Sequence, residues 1–327
     1  MGNQIMRILV ATNHLQNTGG TESYTYALVQ ELLRQGHDVE YFAFQLGDVS
    51  RRIESLGVKY RSHIFYDLII ANHNNVVNHL YKRGFIIQTC HGTKMTLEQP
   101  SSKADALVSI SQEVFDYLQS KGFSSTIIKN GIDCKRFRPN KPVNTKLKYV
   151  LSLCQSNEAN AIVHEACSLV GAHFEKINKF EENCWEIEEK INQSDLVVGI
   201  GRSAYDAMAC GRPVISFDVR CYSSNHGDGY LNANNIKESI CFNCSGRFNQ
   251  TKFNAKTLAN EMEKYNANDG AFFRKYALVN LNIETAVKKY IALYPQNRKF
   301  IIRVKKIITL IARNFYWAIK ISLNQLK

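Results

Sequence analysis

The sequence predicts an α/β protein made of two doubly wound parallel sheets that face one another across a cleft. Three observations carry this expectation. Short apolar runs rich in β-branched residues alternate with segments of helical periodicity. The alternation breaks once, at Arg138-Pro139-Asn140-Lys141-Pro142, which holds two of the chain's five prolines, and then restarts. Glycine-containing turns follow the first strand of the first half and a central strand of the second.

Residues 6–12 form a short apolar run that reads as a buried parallel strand. A polar loop with Gly19 and Gly20 leads to a helix over 22–35, where Tyr24, Ala27, Leu28 and Leu32 recur at helical spacing. Gly36-His37 ends it, and 38–44 is the next strand. Strands at 68–71, 85–89 and 106–110 continue the alternation, with helical segments between most of them. After the proline-marked linker come strands at 149–154, 195–200 and 213–217, and helices at 158–170, 204–210 and 257–265. The expected domains are 1–142, 143–296 and a tail, 297–327. Paired sheets of this kind place ligands in the cleft at the carboxyl ends of their strands.

Composition narrows the function. The chain has 327 residues, of which 45% are hydrophobic and 21% charged, with a formal net charge of +12. Eight cations and no acid lie in residues 298–327, so subtracting 8 from 12 leaves +4 for the remainder. A uniformly basic nucleic-acid binder is excluded, and a binder using the tail alone is opposed by the tail's apolar face. Nine scattered cysteines argue against a disulfide framework. The first apolar run is too short for a secretory signal, position 6 lacks the Ser or Thr of a myristoylation signal, and no stretch nears the ~18 apolar residues of a membrane span. A cytoplasmic location is expected.

Three places could carry chemistry. Gly19-Gly20-Thr21-Glu22 lets backbone approach a ligand and offers free N–H groups to phosphate, or else is a plain turn capped by Thr21. His91, in Cys90-His91-Gly92-Thr93 at a strand's carboxyl end, reads as a proton carrier, a hydrogen-bond donor or a structural residue. Gly199-Ile200-Gly201-Arg202-Ser203 opens a helix of small residues, with Asp206 in its first turns able to accept bonds from sugar hydroxyls. Cys241 and Cys244, with Cys221 and His226 upstream, could bind zinc. There is no second close pair, however, and no metal is expected. Asp228, between Gly227 and Gly229, reads as loop or as a donor-side residue.

In order along the chain these places resemble retaining GT-B-fold glycosyltransferases of the GT4 family. The resemblance spans roughly residues 6–294. It rests on the opening strand through Glu22 with Gly36-His37-Asp38-Val39, on His91-Gly92, on Ile128-Lys129-Asn130-Gly131-Ile132-Asp133 through Phe137-Arg138-Pro139, and on Asp206-Ala207-Met208-Ala209-Cys210-Gly211-Arg212-Pro213-Val214-Ile215. The Asn243-Cys244-Ser245-Gly246-Arg247 run is similar to a substrate-facing loop of related transferases. The resemblance implies transfer of a sugar from a nucleoside diphosphate sugar, an acceptor domain followed by a donor domain, and no metal or other cofactor. Gly19 and Gly20 would cover the diphosphate from one side, and Gly201, Arg202 and Ser203 from the other. His91 would contact the sugar and Asp206 the ribose, with Thr21, Glu22 and Asn130 also on the donor side.

Two departures stand out. Residues 152–158 lack the Arg and Lys that neutralise the diphosphate in many relatives, and Val198 occupies the place of the first of two acids spaced eight apart. Arg202 is the candidate to supply the missing charge. A catalytically silent scaffold that partners another transferase is the rival reading.

In the tail, Phe300, Ile301, Val304, Ile307, Ile308, Ile311 and Phe315 fall on one side of a helical wheel and the cations on the other, with Ile302, Leu310, Trp317 and Ile321 intruding. It reads as a surface-lying membrane anchor, each cation contributing ~1 kcal/mol near anionic lipid, or as a helix packed on the protein's own core. The anchor implies a lipid-linked saccharide acceptor in cell-surface polysaccharide assembly.

Overall fold

Ile8, Leu9, Val10 and Ala11 are all fully buried, which requires cover on both faces of their strand. The computed structural model describes residues 5–181, 184–220 and 226–295 and provides that cover. The first sheet comprises β1 (Arg7–His14), β2 (Asp38–Gln45), β3 (Lys59–Tyr60), β4 (Leu68–Ala71), β5 (Phe85–Cys90), β6 (Ala106–Ser109) and β7 (Thr126–Ile127). Its order is β3-β2-β1-β4-β5-β6-β7, parallel throughout. Four helices fill the connections: α1 (Gly20–Arg34), α2 (Asp48–Ser55), α3 (Asn74–Leu80) and α4 (Gln112–Ser120). Leu9, Ala11 and Ile69 pack in one cluster with Val76, Val77 and Leu80 of α3, and alternation turns Ile8 and Val10 to the opposite face. The chain runs outward from β1 to β3 and then returns beside β1 as β4, so the sheet's switch point lies between β1 and β4.

The second sheet joins β8 (Tyr149–Ser152), β9 (His173–Lys176), β10 (Leu196–Val198), β11 (Val214–Phe217), β12 (His226–Tyr230) and β13 (Thr251–Lys252) in the order β13-β12-β11-β10-β8-β9. The strands β8, β10 and β11 are parallel, as expected, and β9, for which the sequence showed no apolar run, joins them in parallel. The edge pair was not foreseen: β12 and β13 run antiparallel to their neighbours. Hydrophobic pattern could not reveal β12, whose sequence is His-Gly-Asp-Gly-Tyr, but close packing demands glycine there. A Cβ on Gly227 would lie 2.5 Å from the Ser216 carbonyl oxygen. The helices are α5 (Asn157–Val170), α6 (Ile187–Gln193), α7 (Arg202–Ala209), α8 (Ile236–Cys241), α9 (Ala255–Met262), α10 (Asn268–Asn280) and α11 (Ile283–Ala292). Alternate strand residues feed two clusters. Leu151, Val197 and Val214 pack with Tyr205, Met208 and Phe273. Val150, Val198 and Ile215 pack with Val163, Leu258 and Met262. The second switch point lies between β8 and β10.

Two strands of chain cross between the sheets side by side. Ile132 N–H donates to the Leu281 carbonyl at 2.7 Å, and Ile283 N–H to the Ile132 carbonyl at 2.9 Å. Gly131 permits this approach, because a Cβ there would sit 2.6 Å from Ile283 Cα. Beyond the crossing, Tyr290 of α11 bonds Tyr24 at 3.0 Å and Thr89 at 2.8 Å, hydroxyl to hydroxyl, against the first sheet. Asp133 then caps its own turn, accepting from the Lys135 and Arg136 N–H groups, and pairs with Arg34 of α1 at 2.9 Å. The basic segment 298–327 lies outside the described residues, so its helix is not described. No helix among the described residues is long and apolar enough to cross a membrane.

Candidate functional site

Both glycine turns sit at switch points. The first begins α1 at Gly20, two residues earlier than its apolar pattern indicates, with Gly19 as an extended N-cap (φ −157°, ψ 178°). No side chain caps this helix. The reading of Thr21 as a cap is therefore corrected: Thr21 lies inside the helix, and its carbonyl accepts the Thr25 hydroxyl at 2.7 Å. By contrast, α4, α5 and α9 are capped by Ser111, Ser156 and Asn254. Gly20 has open space where a side chain would be, whereas a Cβ on Gly19 would strike the Glu22 carboxylate. That carboxylate receives His14 Nε2 at 2.9 Å, a hydrogen bond that raises the His14 pKa.

His91 is part of a relay of fixed hydrogen bonds. Asn72, fully buried after β4, donates through Nδ2 to Thr25 Oγ1 at 2.9 Å, and Thr25 passes its own proton to the Thr21 carbonyl. Asn72 Oδ1 is thereby the acceptor for His91 Nε2 at 3.0 Å, which leaves Nδ1 as an acceptor. Burial, and His73 nearby, push the His91 pKa down to about 3. An imidazole with that pKa is neutral at physiological pH. What it can offer a ligand is a positioned lone pair. His73 is neutral as well, lowered to about 4 chiefly by burial, and its Nδ1 accepts the Asn13 N–H at 3.1 Å.

The second turn is held more tightly. Gly201, the N-cap of α7, has φ +57° and ψ −123°, a conformation open to glycine. Its N–H donates to the Cys244 carbonyl at 3.1 Å, which also accepts the Ser216 hydroxyl at 3.0 Å. Asn243 and Cys244 are themselves left-handed, at φ 57° and 47°. Ser203, partly exposed on the first turn of α7, lies where a Cβ on Gly199 would meet it at 3.0 Å. Arg202, expected to meet a diphosphate, donates from its guanidinium to the Gly131 carbonyl at 3.3 Å, while its Nε lies 3.7 Å from Asp206 Oδ2, beyond hydrogen-bond reach. Burial raises the Asp206 pKa to about 6, against the pull of Arg202 and Arg136. Around this turn several buried polar atoms have no partner in the protein: Asn130 Oδ1, Arg202 Nε, Tyr205 OH, Asp206 Oδ1 and Asn243 Oδ1. Such atoms are rare unless a ligand or water satisfies them.

Residues beside the two turns line one small hollow: Thr18 and Ser23 from the first half, Arg202 and Asp206 from α7, together with Asp133 and Arg136. Beside it a 310 Å³ hollow runs along the crossing, where Trp185 stacks under Arg52 at 4.5 Å and Arg136 at 4.9 Å, with Tyr26 edge-on at 4.9 Å. A larger hollow of 370 Å³ lies at the opposite, amino edge of the second sheet. There Asp195 bonds four groups of the 144–149 segment, which makes it structural.

Asp228 lies in β12, not in a loop. Its carboxylate accepts the Ser239 hydroxyl at 2.5 Å and the Phe248 and Asn249 N–H groups, which ties β12 to α8 and the 248–249 segment. Among the described residues no group of three or more His, Cys, Asp or Glu is placed to hold a metal; Cys221 lies outside them. Sequence reading missed Asn72, the Trp185 stack and a fork from Arg247 to Glu113 of α4, at 2.7 and 2.6 Å. No periodicity marks a contact between residues so far apart in sequence.

No family model matches the sequence, and no curated protein matches it. Solved structures share the fold. A glycosyltransferase from Rickettsia africae ESF-5 matches with TM-score 0.59 at 12% identity, covering 89% of this chain and 98% of that one. AviGT4, a glycosyltransferase involved in avilamycin A biosynthesis, matches with TM-score 0.55 at 13% identity, covering 90% and 97%. A UDP-GlcNAc 2-epimerase from Neisseria meningitidis, bound to UDP-GlcNAc, matches with TM-score 0.50 at 9% identity, covering 88% and 99%. The chain has the two-sheet architecture of these neighbours, that of GT-B glycosyltransferases.

Proposed function

We propose that the protein is a retaining glycosyltransferase of the GT4 type, moving a sugar from a nucleoside diphosphate sugar to a lipid-linked or cell-surface saccharide. One observation carries this reading: Arg202 and Asp206, which follow the Gly201 turn and hold buried polar atoms without hydrogen-bond partners, line one hollow with Thr18 and Ser23, which flank the Gly19 turn. Two of the three neighbours above are glycosyltransferases and the third binds UDP-GlcNAc, which supports a nucleotide-sugar ligand.

In the reaction the acceptor oxygen bonds to the anomeric carbon, while the bond from that carbon to the diphosphate breaks with its electron pair. The acceptor's proton passes to the departing diphosphate. Negative charge grows on the diphosphate, where the first-turn amides of α1 (Gly20, Thr21) and α7 (Arg202, Ser203) offer oriented dipoles that need little reorganisation. Asn130 Oδ1, Asp206 and His91 Nδ1 accept hydrogen bonds from hydroxyls of the sugar and ribose. The reading calls for no metal.

The basic amphipathic pattern of 298–327 supports a place at the cytoplasmic face of the membrane. Deleting those residues should move the protein from the membrane to the soluble fraction. Val198, wholly buried in β10, favours the rival reading of a silent scaffold, because one of two expected acids is missing. Thermal shift against uridine, guanosine, adenosine and cytidine diphosphate sugars, followed by assay of sugar release, tests the proposal. Stabilisation by one donor with turnover supports it; stabilisation without turnover supports the scaffold.

A further inference from the structure

The amino edge of the second sheet carries a hollow of 370 Å³ that the transferase reading leaves unused. That volume lies within the ~300–1,000 Å³ range of small-molecule sites. Its walls are the paired starts of β8 and β9, the end of α6 and the proline-marked linker. Those walls are fixed. Arg212, only 1% exposed, donates to the carbonyls of Lys141, Ile191 and Asn192, which clamps the linker onto the end of α6. Asn192 also accepts the Asn140 N–H and donates to the Arg138 carbonyl, both at 3.0 Å. Asp195 holds the backbone of Asn144, Lys148 and Tyr149.

On this frame stand groups that are still free. Tyr149 is 47% exposed, and its ring meets that of His173, exposed beside it in register, edge-on at 5.7 Å. The Tyr149 hydroxyl, the His173 ring nitrogens and the Gln193 amide line the hollow with no hydrogen-bond partner among the described residues. Charge is balanced: Glu175 is ion-paired with Lys190 at 2.8 Å, and Asp195 spends both oxygens on N–H groups. A phosphate group would meet Lys141 but also these two acids, and an apolar ligand would bury polar groups unpaired. A neutral saccharide fits. Its C–H face packs on an aromatic ring, and its hydroxyls both donate to and accept from amide, hydroxyl and imidazole groups.

We propose that this hollow is a saccharide-binding site distinct from the donor site, with Tyr149 as its stacking ring and Gln193 and Glu175 as hydrogen-bonding partners. It holds a neutral stretch of the acceptor glycan away from the reacting end. The assignment rests on the transferase reading above and deepens it. Asp195 and Gly201 stand before and after β10, roughly 20 Å apart at ~3.3 Å per residue. A saccharide in the hollow therefore leaves the Gly201 turn open to the donor. Attachment at a second point keeps the acceptor near the reaction site after each transfer, which raises its effective concentration there.

The test is binding of the labelled full chain to an array of neutral and acidic oligosaccharides, followed by calorimetry with the best neutral binder. The wild type should retain a neutral oligosaccharide, and a saturating nucleoside diphosphate sugar should not displace it. Tyr149→Ala should lower the affinity about tenfold, Tyr149→Phe should keep most of it, and Gln193→Ala should fall between. Melting temperatures check that each variant folds. Hydrogen exchange of the wild type needs no variant, and the saccharide should slow it at 149–151 and 192–195. Retention of acidic oligosaccharides alone, equal affinity in wild type and Tyr149→Ala, or displacement by the donor overturns the assignment. So does a wild type that is stabilised by a nucleoside diphosphate sugar yet retains no oligosaccharide, a result that leaves the transferase reading standing. A wild type that binds neither overturns both.

Discussion

Gly19 and Gly201 each precede a helix that follows a central strand, yet they need glycine for different reasons. Gly19 has an extended backbone that other residues adopt, and only the carboxylate of Glu22 stands in the way of a side chain. Gly201 has a left-handed backbone, and its N–H is fastened to a loop that is itself left-handed at Asn243 and Cys244. The first turn is shaped by side chains that can move, the second by backbone that cannot.

The sharpest way to break this contrast is Gly201→Ala. It forces φ +57° on an L-residue and sets a methyl 3.4 Å from Asn243 Nδ2. Stability should fall by about 1–3 kcal/mol in denaturant unfolding, and donor affinity more than tenfold. If alanine is accepted without loss, the second turn is not rigid. Asp206→Asn should come next. With the pKa raised to about 6, the folded state holds a proton that the unfolded chain has released above about pH 4, so stability falls as pH rises from 4 to 6. Donor affinity should rise over the same interval as the carboxylate ionises and accepts hydroxyls. Both trends should vanish in the asparagine variant, and a donor Kd flat across pH 5–7 in the wild type would remove Asp206 from the site.

Asn72→Ala probes what stiffness the first turn has. It strands His91 Nε2–H and breaks the link to Thr25, at a cost of about 1–3 kcal/mol by unfolding. A smaller effect is expected of Gly19→Ala, which displaces Glu22 from His14. The stabilisation from that pair is full below the unfolded His pKa near 6.5 and is lost as pH rises through the higher folded value. In the variant, the His14 resonance should titrate closer to its ordinary value by NMR, with stability changed by less than about 1 kcal/mol. Least of all, Gly20→Ala meets nothing and replaces a glycine in a helix, so it should be neutral or stabilising by about 0.4–1 kcal/mol. A large loss of donor affinity with stability intact would show that Gly20 touches a ligand directly.

Much of the frame was legible because both sheets are buried on both faces, so β1, β4 and β11 announce themselves as apolar runs. The motif around Asn130 was legible too, and its chemistry is now physical: Gly131 lets the chain pass against Ile283, and Asp133 caps the turn that follows. Pattern fails where glycine replaces apolar residues, as in β12, and where an element is held by distant partners, as with Tyr290 against Tyr24 and Thr89. The site followed the same division. Gly19, Gly201 and His91 stand just beyond strand ends, where apolar runs stop in the sequence, while Asp206 lies inside α7. The states of two of them could not be read. His91 is neutral because of burial and His73, and Arg202 donates to Gly131, a contact between residues far apart in sequence.

The central claim is that turns from both sheets grip one ligand, and hydrogen exchange of the full chain with and without a saturating nucleoside diphosphate sugar tests it most directly. Slowed exchange in both the 18–25 and 199–206 segments is the predicted result. Protection confined to one of them, or moved to 144–149 and 173–175 at the amino edge of the second sheet, would contradict it.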